Sequence, residues 1–358
     1  MARVAMQRHL IFWSAALALF IAALWLLSPV MLPFVAGIVL AYLLNPAARR
    51  LERIGINRAA AGLAIILLVV IALVVLVLLL TPVLAAQFSA FIDKLPGYVT
   101  RLQTLLSEPG HEWLTKYFGE KLPDSSKTLS ELVTQGAGWL AAFLRSLWSG
   151  GQALVSIFSL MVVTPVVAFY LLCDWDRMIA HIDGWVPLRQ QETVRGLARE
   201  IDAAVAGFVR GQTSICLILG VYYAIALAIV GLNFGVLIGL IAGFLTFVPY
   251  VGSLTGLIVA LGVAVAQFWP SWGPILAVLV IFVVGQFMEG YVLAPKLVGE
   301  RVGLHPVWLM FALFAFGYLF GFVGLLVAVP LAAAIGVLTR FAIRQYLASP
   351  IYHGEEPL

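Results

Sequence analysis

The chain has 358 residues, of which 63% are hydrophobic and 11% charged, with a mean hydropathy of +1.06. A soluble domain carries roughly 25% charged residues because its surface faces water, so this composition excludes a water-soluble globular protein. The formal net charge of +4 comes from short basic stretches between apolar blocks, a topology signal rather than a nucleic-acid-binding face.

Apolar blocks fall near residues 10–27, 30–44, 59–84, 151–173, 214–231, 235–250, 252–268, 274–294, 306–320 and 322–339. A helix crosses a hydrocarbon core in about 20 residues, and only closed hydrogen-bonding structures survive there. The fold class is therefore all-α: a polytopic helical membrane protein with about eight spans plus two candidate re-entrant helical hairpins. Arg3, Arg8 and His9 precede the first block as in a signal peptide. That block runs on to Leu27 with no Ala-x-Ala site after it, so it reads as a retained span.

The positive-inside rule orients the blocks. Fifteen of the 21 Lys and Arg lie at the N-terminus, in 45–58, in 174–213, at Lys296 with Arg301, and at Arg340 with Arg344. If all five places are cytoplasmic, every interval between them holds an even number of apolar blocks. One topology then fits the whole chain, with both termini inside. The other six basic residues lie in 85–150, matched by six acids. There Val99, Leu102, Leu105 and Leu106 have helical spacing, which predicts short amphipathic helices in an outside segment. Cys173 and Cys216 flank a cytoplasmic loop and read as reduced residues rather than a disulfide.

Two stretches echo each other. Thr255–Ala266 reads TGLIVALGVAVA and Val323–Ala334 reads VGLLVAVPLAAA, aligning Gly256 with Gly324 and Val259-Ala260 with Val327-Ala328. Each copy sits in an apolar run broken at its middle, by Pro249, Tyr250 and Gly252 in one and by Gly317, Gly321 and Gly324 in the other. Paired, interrupted segments point to a transporter's substrate site, because broken helices free backbone polar groups at membrane depth. Those six residues are the substrate-pathway candidates. The competing reading is that such glycines only let helices pack closely, and this is the reading taken for Gly235, Gly239 and Gly243.

Glu289 is the only acid between Asp202 and Glu300, inside an otherwise apolar run. A carboxylate at membrane depth costs about 2.5–3.5 kcal/mol by insertion scales unless paired or hydrated, so it is a candidate proton- or solute-coupling group. Lys296, two α-helical turns on, is its candidate partner. Asp202 and Arg210, an i,i+8 pair, and Gln212 lead into the next span and are gating candidates. His305-Pro306 reads as a helix start.

The domains expected are 1–84, spans 1–3; 85–150, the extracytoplasmic segment; and 151–213, span 4 with a cytoplasmic helical linker. After these come 214–345, a transport core holding the broken hairpins 235–268 and 306–339, and 346–358, a cytoplasmic tail. No Walker A sequence is present, so ATP is not expected to drive the chain, and no cofactor or metal is called for. His-Glu-x-x-His, Gly-x-Ser-x-Gly and paired intramembrane aspartates are absent too, which argues against an intramembrane hydrolase.

Several segments in order, Pro33–Pro46, Thr164–Asp174, Phe208–Gln212, Phe247–Gly252, Glu289–Lys296, Leu304–Pro306 and the Gly317–Pro330 run, make the chain resemble the autoinducer-2 exporter family of bacterial permeases, in its PerM-like branch. The resemblance implies secondary transport, with export of a small polar signalling molecule from the bacterial inner membrane. It also implies a homo-oligomer, a pentamer being one form. Some relatives resemble cation/proton antiporters, so protons or a monovalent cation join membrane lipid and the solute as expected partners. A non-transporting membrane scaffold is the remaining alternative.

Overall fold

The computed structural model describes residues 19, 22–27, 30–107, 135, 138, 151–249, 251–299, 305–349 and 352. The described chain is helical and contains no strand: α1 (Leu32–Arg53), α2 (Arg58–Ser107), α3 (Gly151–Gly184), α4 (Gln191–Ile229), α5 (Gly235–Leu245), α6 (Val251–Phe268), α7 (Trp272–Phe287), a π-helix (Met288–Val298) that continues α7, and α8 (Pro306–Leu347). The expected first span, 10–27, falls mostly outside the described residues.

Six stretches are long and apolar enough to cross a membrane: α1, Arg58–Leu79 of α2, α4, α6, Trp272–Val298 and α8. Their side chains agree. Leu67, Leu68, Leu78 and Leu79 of α2 each leave more than half their surface uncovered. In water such a stripe would drive aggregation, whereas lipid tails are as apolar as leucine and leave no force against exposing it. With its 50 residues α2 is about 75 Å long, more than twice the hydrocarbon thickness. Val99, Leu102, Leu105 and Leu106 therefore ride on the continuation of a span instead of forming a separate short helix. Within 108–150 only 135 and 138 are described.

The chain divides into two compact units, to both of which α2, α3 and α4 contribute residues. Unit 1 comprises 1–68, 158–210 and 299–358. Its corner between α1 and α2 is tied by Arg58. This guanidinium donates to the Leu172 carbonyl at 2.8 Å, to Glu52 Oε2 at 2.9 Å and to Asn45 Oδ1 at 3.3 Å. Thr164 Oγ1 of α3 donates to the Pro33 carbonyl of α1 at 3.1 Å. Arg340 of α8 reaches Glu200 of α4 at 3.5 Å.

Unit 2 comprises 69–157 and 211–298. Its core is built from Ile215, Leu219, Tyr223 and Leu227 of α4, Leu237 and Ile238 of α5, Val263 of α6 and Val278 and Phe282 of α7. The glycines of α5 set its closest seam. A Cβ on Gly239 or Gly243 would collide with Ala224 or Gly220 of α4, and one on Gly235 would crowd Leu227. The one-turn spacing of these glycines thus makes a flat face against which α4 runs antiparallel. The turn into α5 is held from a distance. Gln87 Oε1 of α2 accepts from the Leu237 N–H at 3.2 Å, Tyr98 Oη accepts from Asn233 Nδ2 at 3.0 Å, and Gln267 of α6 bonds the backbone of Asn233 and Gly231.

Overpacking this seam costs about 1–3 kcal/mol per added side chain. Gly243→Val is expected to lower the thermal midpoint of the purified protein in detergent. Gly262→Ala, where a Cβ meets nothing within 4 Å, is expected to leave it unchanged or slightly raised. Melting curves of the two variants check this.

Candidate functional site

The first broken pair is α5 and α6. Eleven residues give α5 a length of about 16 Å, half a hydrocarbon core. After Leu245 the chain leaves the α-helix through a series of tight turns: Phe247 N–H donates to the Phe244 carbonyl, Val248 to Leu245 and Val251 to Val248. Pro249 sits in this break and is half-buried; Tyr250 lies outside the described residues. The break is fastened from α4. Gln212 is 6% exposed, and its Nε2 donates to the Thr246 carbonyl at 2.6 Å. Thr246, 1% exposed, returns its hydroxyl to the Ala242 carbonyl at 2.9 Å. Gly252 fits because it lacks a side chain: a Cβ there would strike Thr246 and the Ala242 carbonyl. Gln212, Pro249 and Gly252 thus belong to one locus in unit 2. Thr246 was not anticipated, although a polar residue at the end of an apolar run was its available signal.

Glu289 stands at the start of the π-helix, where helical register changes. Its Oε2 is buried and has no hydrogen-bond partner among the described residues. Lys296 is exposed, and no ion pair among the described residues joins it to Glu289. The expected shared face presumes 3.6 residues per turn; the wider π-helix turns seven residues through a different angle.

The second broken pair lies in unit 1. α8 is two helices joined at Gly321, whose φ of 60° and ψ of −138° fall in a mirror region open to glycine. A Cβ on Gly317 would meet Leu325, and one on Gly324 would overlap the Phe316 carbonyl. Residues eight apart are about 12 Å apart along a continuous helix, so the chain folds back at Gly321. The sequence echo aligns Pro249 with Gly317, and the backbone break falls four residues later. Here the echo locates the interruption without fixing its residue.

Among the described residues no ion pair joins Asp202 to Arg210, both also in unit 1. Both bind Tyr42 of α1: the Tyr42 hydroxyl donates to Asp202 Oδ1 at 3.0 Å, and Arg210 Nε donates to the Tyr42 carbonyl at 3.0 Å. With Asn45, Arg49 and Trp175 they line a cavity of about 40 Å³, room for a few waters. Asp202 also borders a wider, open cleft of about 1030 Å³ that carries Asp176, Asp183, Glu192, Arg195 and Arg199. Tyr42 was missed in the sequence because a lone tyrosine in an apolar helix carries no positional signal. Two hydrogen bonds from Arg195, at 2.6 and 2.7 Å, hold the Asp183 carboxyl below the usual carboxylate range.

These arrangements can bind and orient polar groups, and among the described residues no group of His, Cys, Asp and Glu could hold a metal ion. Apolar spans with exposed lipid-type faces, two of them interrupted, define a polytopic helical membrane protein. The AI-2E family transporter profile matches residues 15–344, and the chain belongs to that family. It is 28% identical over 322 residues to the proposed transport protein YrrI of Bacillus subtilis (strain 168), covering 89% of each chain. It is 26% identical over 316 residues to the proposed permease PerM of Escherichia coli (strain K12), covering 86% of each. To YueF of Bacillus subtilis (strain 168), also a proposed transport protein, it is 26% identical over 311 residues.

Gln212→Ala is expected to destabilise the protein by about 1–3 kcal/mol, because it leaves the buried Thr246 carbonyl without its donor. Denaturant or thermal unfolding in detergent measures this. The Asp183–Arg195 contact has its own pH signature. A carboxyl lowered on folding adds stability above its unfolded value of about 3.9, and this is lost as pH falls through the folded value. The small melting difference between the wild type and Asp183→Asn should therefore close on acidification below about pH 4.

Proposed function

We propose that the chain is a secondary transporter that exports a small polar solute, such as a quorum-sensing signal, by alternating access. It works in the bacterial inner membrane as a multi-pass homo-oligomer with both termini cytoplasmic, and catalyses no reaction. The observation that carries this reading is the pair of broken helices. In lipid, backbone groups released by a break need partners, and a polar solute can serve as one. We read the 11-residue α5 and the fold-back at Gly321 as re-entrant. Membership of a transporter family supports the class, and the names of its relatives support transport or permease activity. Export and oligomerisation rest on the family resemblance.

Cation/proton antiport is the second reading, favoured by one feature: the buried Oε2 of Glu289, which has no partner among the described residues, within an apolar span. The two readings share Glu289 as the coupling group. They differ in what moves against the proton.

Proteoliposomes loaded with candidate solutes or monovalent cations, with and without a proton gradient, test both. Efflux above empty-vesicle controls for one of them is expected; background rates for all would remove the transporter reading. Glu289→Gln should retain assembly and lose the pH dependence of efflux, and a pH profile identical to wild type would clear Glu289 of coupling. Gly321→Ala strains a backbone closed to L side chains and should slow transport several-fold. Substitutions at Pro249 or Gly324 that abolish transport in assembled protein would exclude a scaffold.

A further inference from the structure

Tyr223 is the anomaly in the core of unit 2. It is fully buried, with 0% of its surface exposed, and its ring stacks on Phe282 at 4.6 Å. Its hydroxyl nevertheless has no hydrogen-bond partner among the described residues. A buried hydroxyl is normally satisfied, so an orphan marks a bound water, an ion or a functional group. The hydroxyl lies against Gly285, where a Cβ would overlap it, so this glycine opens the space the hydroxyl occupies. Gly285 is one turn before Glu289, whose Oε2 is the other buried orphan oxygen of the described chain. Through Gly285 the two orphan oxygens stand on neighbouring turns of one helical stretch.

We propose that the Tyr223 hydroxyl and the Glu289 carboxyl form a single proton-handling site, bridged by one bound water. With the proton aboard, Glu289 donates to the water, which also accepts from Tyr223. Once the proton has left, the water turns to donate to Oε2 while Tyr223 still donates to it. Tyr223 keeps its own proton throughout. Two protein oxygens fall far short of the shell of about six or more that a hard metal cation takes, whereas a water is satisfied by two to four partners.

Other titratable groups lie on the elements around this pair. On α4 Tyr222 is engaged with the Ile281 carbonyl at 3.1 Å, and Cys216 is half-buried. α5 and α6 carry no titratable side chain. Lys296 on the π-helix and Asp93 and Lys94 on α2 are exposed. The proposal rests on the coupling role given to Glu289 above, and its test needs no transported solute.

The test is infrared difference spectroscopy of the full-length protein in lipid vesicles, titrated with pH. A carboxyl band absent in Glu289→Gln is the Glu289 signal. In Tyr223→Phe, which keeps the ring stack, its midpoint is expected to move by about one pH unit, while Tyr222→Phe leaves it in place. An unchanged midpoint in Tyr223→Phe overturns the pairing. Should that variant fail to assemble, Glu289→Gln must shift a tyrosine band, and an unshifted band overturns the pairing equally. A midpoint that moves when sodium replaces potassium overturns the assignment to a proton alone. A band that behaves as expected in vesicles releasing no candidate solute sinks the transport reading and leaves the site standing.

Discussion

Water's absence from the bilayer core is the constraint on which the structure depends. Every backbone N–H and C=O placed there must be satisfied by the protein itself. A helix does this automatically; a broken helix does not. Where this chain interrupts its apolar helices, it therefore needs compensating partners. The Gln212 amide on the Thr246 carbonyl and the stacked tight turns from Phe244 to Val251 are that compensation in the first broken pair.

The two interruptions reach a similar result by different chemistry. In α5 and α6 a Pro-containing break is clamped from a neighbouring helix by a buried amide, and Gly252 admits the close approach of Thr246. In α8 the reversal turns on one backbone conformation at Gly321, with Gly317 and Gly324 clearing room on either side. The first is fixed by a side chain on another helix. The second depends on its own glycines.

The legible part of the fold was whatever composition and spacing control. The apolar blocks emerged as helices because hydrocarbon leaves few other choices, and the breaks at Pro249 and near Gly321 were visible because Pro and Gly punctuate helices chemically. Gln212 was singled out with no partner in view, since its contact with Thr246 spans 34 residues of sequence. Asp202 and Arg210 were matched by helical periodicity, yet both bind Tyr42, some 160 residues away. The Glu289–Lys296 face assumed an α-helix, and the π-helix after Phe287 cannot be read from local composition. Tyr223 offered no cue, because one tyrosine among apolar residues looks like core until its hydroxyl is seen without a partner among the described residues.

The glycine seam between α4 and α5 has a mechanical corollary. A Cβ on Gly243 would strike the Gly220 backbone, so the two helices approach there about as closely as backbones allow. Rotating α5 about its axis against α4 would bring its branched side chains onto that narrow track. The two helices therefore resist rolling across each other, and the short stretch between Thr246 and Val251 carries the change of direction on its own.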